Sequence, residues 1–271
     1  MTAVATTTGA QPHARLGRYS LWQVRDYVLN RGLPTLIVML LLGYLGVSAI
    51  FGRLDSSGAV PPYLIRKYGS LEAAHAAMRH DLSVNFLASF LGTFAFLGAL
   101  IAMNGIVAND RKLGFYRFTF SKPVSPAAYY GAEFIVNGLC FLVLTVVLTL
   151  VYGARVEPVL SVALLVAIGS AYLCYAGLAF ALSAASRWDW LSLVAVAGAA
   201  EVLWGRYGSS DSPLKFLLGV LPPMHRTSAV YAAAASGTAL PSHSVLWLAG
   251  YGTIAFLAGL AILRHRRLAF N

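Results

Sequence analysis

Long uninterrupted apolar stretches constrain this chain more than any other feature. Residues 33–52, 83–107, 128–152, 159–185, 188–204 and 245–263 each approach or exceed the roughly 20 apolar residues needed to cross a bilayer. Backbone N–H and C=O groups find no water in hydrocarbon, so stretches of this kind must satisfy them internally as helices. A membrane barrel would show alternating rather than continuous apolarity. Only 11% of the 271 residues are charged and 58% are hydrophobic. Ordinary soluble domains carry about a quarter charged residues, so too little polar surface exists here to cover a globule. The expected fold class is an all-α integral membrane protein with six transmembrane helices, and 1–271 reads as a single transmembrane domain.

The flanking segments carry the rest of the plan. Residues 1–17 are Thr/Ala-rich and then basic, and read as a disordered tail. Ser20 and Gln23 fit a capping box that opens an amphipathic helix over 18–31. Leu21, Val24 and Val28 share one face, and Gln23, Asp26 and Asn30 another. With Trp22, Arg18 and Arg25 nearby, this helix is expected to lie in the membrane interface, with Gly32 and Pro34 turning the chain into the first span. A short helix is expected from Ser70 to His80. In the loop 205–244, the apolar piece from Leu214 to Leu221 is too short to span and reads as a re-entrant or interfacial helix. Arg187, Trp188, Asp189 and Trp190 form a polar, aromatic turn suited to the headgroup belt.

The net charge of +10 does not point to nucleic acid, because the basic residues gather at span ends where they meet lipid headgroups. Dense clusters at 111–122 and 264–267 place both termini in the cytosol. The expected location is a prokaryotic cytoplasmic (inner) membrane. Cys140 and Cys174 lie inside apolar runs and read as small hydrophobes. The six histidines are scattered over tails and loops with no paired spacing, so no metal site is expected.

The segment from Ala108 to Glu133 is the most chemically dense. Asp110, Arg111, Lys112 and Arg117 supply charge, Phe115 and Phe118 supply apolar anchors, and Ser125 and Pro126 restart a helix as N-cap and first residue. Two readings of its basic, aromatic tip stay open: a docking surface for a partner, or a solvated loop that only sets topology. In the second span Asn85, Ser89, Thr93 and Asn104 form a polar stripe flanked by Phe86, Phe90 and Phe94. Polar stripes in apolar helices face protein rather than lipid, either lining a pathway or holding helices together. Glu201 is an intramembrane carboxylate, which suggests function, although Arg206 lies close enough in sequence to pair with it. Glu133 sits one turn into the third span and reads as interfacial. Small residues at four-residue spacing, Gly177/Ala181/Ala185 and Ala255/Gly259, mark close helix packing.

Taken in order, these features resemble the membrane subunits of ABC-2 type transporters. The resemblance rests on the amphipathic helix before the first span, on Asp110-Arg111-Lys112-Leu113-Gly114 at the end of the second, on Ser121-Lys122-Pro123-Val124-Ser125, and on Tyr129-Tyr130-Gly131 opening the third. Where the family often carries Glu, this chain has Asp110, with the same charge and a shorter reach. The resemblance implies an elbow helix at 18–31 and a cytosolic coupling helix at 108–122. That helix would dock on a separate ATP-binding subunit, with a second permease subunit completing the transporter. Asp110, Arg111, Lys112, Gly114, Phe115, Arg117 and Phe118 would form the coupling loop. Asn85, Ser89, Phe90, Thr93, Phe94, Asn104 and Glu201 would be the candidate pathway lining for an apolar or amphipathic substrate. None of the four lysines follows a phosphate-loop pattern, so ATP and Mg are expected on the partner and no catalytic residue on this chain.

Other classes fit less well. A rhomboid-like hydrolase needs Ser and His within spans, whereas Gly208-Ser209-Ser210 lies in a loop. An ion-coupled secondary transporter would show repeated halves and several midplane charges. A non-transporting scaffold of the same fold remains a distinct alternative.

Overall fold

The computed structural model describes residues 12–57, 60–103, 106–107, 110, 125–185, 190–208 and 218–265. Among these the chain is helical, with no strand. The elements are α1 (Pro12–Tyr27), a π-helical turn (Val28–Gly32), α2 (Leu33–Ser57), α3 (Pro62–Tyr68), α4 (Leu71–Met103), α5 (Pro126–Arg155), α6 (Val162–Ala185), α7 (Trp190–Tyr207), a 3-10 turn (Met224–Arg226), α8 (Thr227–Ala235) and α9 (Ser242–His265). Among the described residues, five helical stretches are long and apolar enough to cross a membrane: Ser20–Gly52, Leu71–Met103, Pro126–Arg155, Val162–Ala185 and Ser242–Arg264. The 18-residue α7 occupies the fifth apolar run.

α6 is the axis of the bundle. It is apolar on every side, as a helix must be when neighbours cover it all round. α9 packs along its length, and α4, α5, α7 and α8 take the remaining sides. Phe94, Phe141, Tyr172 and Phe180 are fully or almost fully buried, and stacked rings run Phe94–Phe141–Tyr172 at centroid distances of 4.7 and 4.2 Å. The α6–α9 crossing is close because Gly177 and Gly252 bring the two backbones into direct contact. The outer faces are apolar as well. Ile37, Leu41 and Leu45 on α2, and Ile135, Leu139 and Val143 on α5, are exposed at helical spacing. In water these would be unfavourable patches, whereas in a bilayer they meet lipid tails.

Three local features differ from the expectations. The chain does not break at Gly32 and Pro34; it continues from α1 into α2 through the π-helical turn. Pro34 cannot donate to the carbonyl four residues earlier. The wider turn accommodates this: Leu33 N–H reaches the Val28 carbonyl, and Thr35 Oγ1 donates to the Arg31 carbonyl at 2.6 Å. Next, the short helix and the second span fuse into α4, 33 residues and about 50 Å long. Ser70 caps it, its Oγ accepting from Ala73 N–H. Finally, the loop between α7 and α9 sends a helix into the bundle at Thr227–Ala235, where Val230 and Tyr231 are buried against α4 and α6. Residues 209–217, with the first half of the expected apolar piece, lie outside the described residues, and Leu218–Leu221 closes as a turn.

Candidate functional site

Among the described residues, two polar clusters interrupt the apolar bundle, one at the start of α5 beside the last described turn of α4 and one at the end of α5 beside the first half of α4. The first forms where α1 passes into α2. The π-helical turn places Arg31 against the last turn of α4, and Nη1 donates to the Ala102 carbonyl at 2.9 Å. The charged donor makes this a charge-assisted hydrogen bond, stronger than a neutral one. Asn137 Nδ2 reaches the same carbonyl at 3.5 Å from α5. The guanidinium also lies 3.6 Å from Glu133 Oε1 on α5 and 3.9 Å from Asp26 Oδ2 on α1. One side chain thereby joins three helices.

Glu133 is 7% exposed, and its second oxygen, Oε2, is buried without a hydrogen-bond partner. Glu133, read from the sequence as interfacial, is packed inside the bundle: the continuous α1–π–α2 helix lies against α5, and Arg31 faces its carboxylate. One turn before it, Tyr130 donates its hydroxyl hydrogen to Asp110 Oδ2 at 2.8 Å. Burial pushes the Asp110 carboxyl above the usual carboxylate range, against the smaller opposing effects of the Tyr130 hydrogen bond and Arg31. Gln23 is buried on the α1 face that carries Asp26 and Tyr27, and neither of its amide atoms has a partner. Close by, Val107 N–H donates to Ser183 Oγ on α6. The chain leaving α4 is therefore tied to α5 through Asp110 and to α6 through Val107.

The second cluster closes the opposite end. Ser83 Oγ lies 2.6 Å from Glu157 Oε1 and 2.8 Å from the Tyr152 hydroxyl. A carboxylate only accepts, so Ser83 donates to Glu157 and accepts from Tyr152. His80 Nδ1 stands 3.3 Å from Glu157 Oε2. This is not a nucleophile site: Ser83 is 1% exposed, and its partner is the carboxylate rather than the imidazole. It is a hook that fastens α4 to the end of α5. Ser83→Ala removes the donor to Glu157 Oε1 and leaves the Tyr152 hydroxyl only its longer bond, 3.4 Å, to the residue-83 carbonyl. The expected loss is about 1–3 kcal/mol, read as a lower unfolding temperature in detergent, with an unchanged temperature as the contrary result.

Of the expected pathway residues, the structure groups Asn85, Ser89 and Thr93 as an outward-facing stripe along α4. Two of these side chains fold back on their own helix: Asn85 Nδ2 to the Asp81 carbonyl at 2.9 Å, and Thr93 Oγ1 to the Ser89 carbonyl at 3.0 Å. Phe90 is half-buried and packs over Gly43 of α2. Phe94 does not belong with them. It is fully buried and stacked on Phe141, because its position on α4 faces the α5–α6 core rather than the stripe. Glu201 is exposed on α7, and Arg206 lies over the Tyr207 ring at 5.7 Å rather than pairing with it. Asn104, Arg111, Lys112, Gly114, Phe115, Arg117 and Phe118 lie outside the described residues. Among the described residues, no group of His, Cys, Asp and Glu could hold a metal ion.

Sequence reading missed Arg31 as the hub and Glu133 as its buried partner. The available signal was the pair of opposite charges, Asp26 and Arg31, at the mouth of an apolar run, together with a carboxylate one turn inside another. No model of a known protein family and no curated protein matches the chain.

Proposed function

We infer that this chain is the membrane-spanning subunit of an ATP-driven exporter of the ABC-2 type. It would have six spans, with α7 as the fifth, and would work with a separate ATP-binding subunit and a second permease subunit. The observation that carries this reading is the wiring of residue 110. Asp110 opens the 108–122 segment and is bonded to Tyr130, one turn from Glu133, whose partner Arg31 binds α1 and the end of α4. A push on that segment would therefore be felt by the elbow helix and by two spans together. ATP bound by the partner would supply the push, and the bundle would shift between two arrangements.

The stripe of Asn85, Ser89 and Thr93 supports the second subunit. Polar groups facing lipid are unfavourable, and a partner helix, or a pathway between two subunits, would shelter them. The apolar walls suit an apolar or amphipathic cargo. Charge reversal at Arg111 and Lys112, or Gly114→Pro, is expected to uncouple transport from ATP hydrolysis while the unfolding temperature stays unchanged. Vesicle transport assays check this, and normal transport by those variants would count against the coupling role.

A further inference from the structure

Outside the two clusters described above, at the edge of the bundle, a group of rings and one guanidinium joins α7, the 3-10 turn and α9. Trp204 lies one turn before the end of α7, and its indole stacks on the His225 imidazole with centroids 3.8 Å apart. The next residue, Arg226, reaches α9. There Nη1 stands 2.7 Å from His243 Nδ1, and the guanidinium lies over the Trp247 ring at 5.7 Å. A guanidinium only donates, so His243 Nδ1 accepts and the ring hydrogen sits on Nε2. His243 and Trp247 together hold Arg226 from one side.

The other side is unmatched. Arg226 Nε is buried without a hydrogen-bond partner, and so are Trp204 Nε1 and His225 Nδ1. The first two atoms can only donate, and an imidazole nitrogen can do so. Buried donors without acceptors are rare, because each gives up its hydration for nothing. Among the described residues no carboxylate pairs with Arg226, and Glu201, one turn before Trp204, is exposed. Burial and the adjacent Arg226 push the His225 pKa down, so the guanidinium carries the charge. Its free edge, Nε with Nη2, is the fork that grips two oxygens of an anion.

The position indicates which anion. Gly252 meets Gly177 and Phe256 meets Phe180, so α9 runs parallel to α6 and begins at the same end of the bundle. His243 and Trp247 belong to the first two turns of α9, a helix apolar enough to cross a membrane. Tryptophans near the end of such a helix sit at headgroup level. Leu246, 72% exposed between them, offers an apolar rim to lipid tails. We propose that Trp204, His225 and Arg226 form a phosphate-binding site at the α7–α9 edge, which takes the phosphate of a lipid headgroup or of a phosphorylated amphiphile. A phosphate has enough oxygens for the guanidinium fork and for the two ring donors together, whereas a carboxylate has two. The inference does not rest on the coupling segment, which lies at the other end of the bundle.

The test uses the full chain, purified in an uncharged detergent. Binding of dioleoylphosphatidylglycerol is counted by native mass spectrometry, with dioleoylglycerol and inorganic phosphate as comparison ligands. The expected result is a single phosphatidylglycerol held more tightly than any further copy. Its binding weakens about tenfold or more in Arg226→Gln and about threefold or more in Trp204→Phe, which keeps the ring and loses the N–H. Arg206→Gln, which removes a cation from the same end of α7 outside the site, binds as the wild type does. Inorganic phosphate that binds as tightly as the lipid would support the site and assign it to a dissolved anion. Equal retention of dioleoylglycerol, which has the same tails and no phosphate, would overturn the proposal, as would equal weakening by Arg206→Gln. Asp211 lies outside the described residues, so Asp211→Asn is included. Lipid binding that emerges only in that variant would make a carboxylate of this chain the occupant and overturn the proposal too. Should Arg226→Gln not fold, Trp204→Phe compared with wild type decides the matter. No ATPase is present, so failure here and failure of the coupling assay are separate results.

Discussion

Arg31→Leu is expected to be among the most damaging single changes in this chain. The substitution leaves the Glu133 carboxylate buried with its compensating guanidinium gone, and removes the shorter of two side-chain donors to the Ala102 carbonyl. Breaking a buried ion pair from one side costs on the order of 3–5 kcal/mol, far more than the net worth of the pair, because a charge is stranded. Lysine should rescue only in part, since an ammonium cannot fork between a carbonyl and two carboxylates as a guanidinium does. The decisive comparison is with the double variant Arg31→Leu/Glu133→Leu. With both charges gone the stranding disappears, and stability should recover most of the loss. Thermal unfolding in detergent measures all three. A double variant no better than Arg31→Leu would mean that the guanidinium acts through packing rather than charge.

Gly252→Val is expected to be equally severe for a different reason. A Cβ on Gly252 would stand against the Leu173 carbonyl and 2.6 Å from the Cys174 backbone nitrogen. On the other side, a Cβ on Gly177 would press on the Gly252 carbonyl oxygen. Overpacking against side chains costs roughly 1–3 kcal/mol because they yield. Here the obstacle is backbone on both sides, so relief requires separating α6 from α9, the most extensive packing in the bundle. A loss above about 3 kcal/mol is expected, seen as loss of the monodisperse folded species in size-exclusion chromatography. Gly259→Ala is the internal control. Its Cβ would meet the Phe180 ring, with Cδ1 at 2.7 Å, and the Ala181 Cα at 3.1 Å, a milder clash with backbone than that at Gly252, so a smaller loss is expected. Wild-type behaviour of Gly252→Val would contradict the close crossing.

These two sites illustrate what the residues alone revealed. Gly177 could be read as a packing residue because small residues recur at four-residue spacing in an apolar run. Gly252, its contact, stands outside any such repeat and was invisible until the helices were placed. The spans were legible because bilayer thickness turns run length into a prediction. Their starts were not, because Ser70 caps a helix that runs on without interruption from an exposed segment into an apolar one. α8 was missed since Thr227–Ala235 is short and mostly alanine, so its burial comes from fit rather than from hydrophobic pattern. At the site, Asp110 was singled out from its sequence neighbours. Its bond to Tyr130 is tertiary, and so are the meetings of Arg31 with Ala102 and Glu133, which separate in sequence by most of a span or more. Phe94 looked like a neighbour of the polar stripe, but one step around the helix was enough to turn it into the core.

The central claim is that this chain is moved by an ATPase it does not itself contain. The direct measurement is to tag the chain, extract it in mild detergent from membranes of its own host, and assay the purified material for bound partners and ATP hydrolysis. The account predicts a stoichiometric ATP-binding subunit whose association and activity are lost when residues 110–118 are scrambled, with the unfolding temperature of the chain preserved. A chain that purifies without any ATP-binding subunit, or one whose ATPase is indifferent to that scrambling, would contradict it.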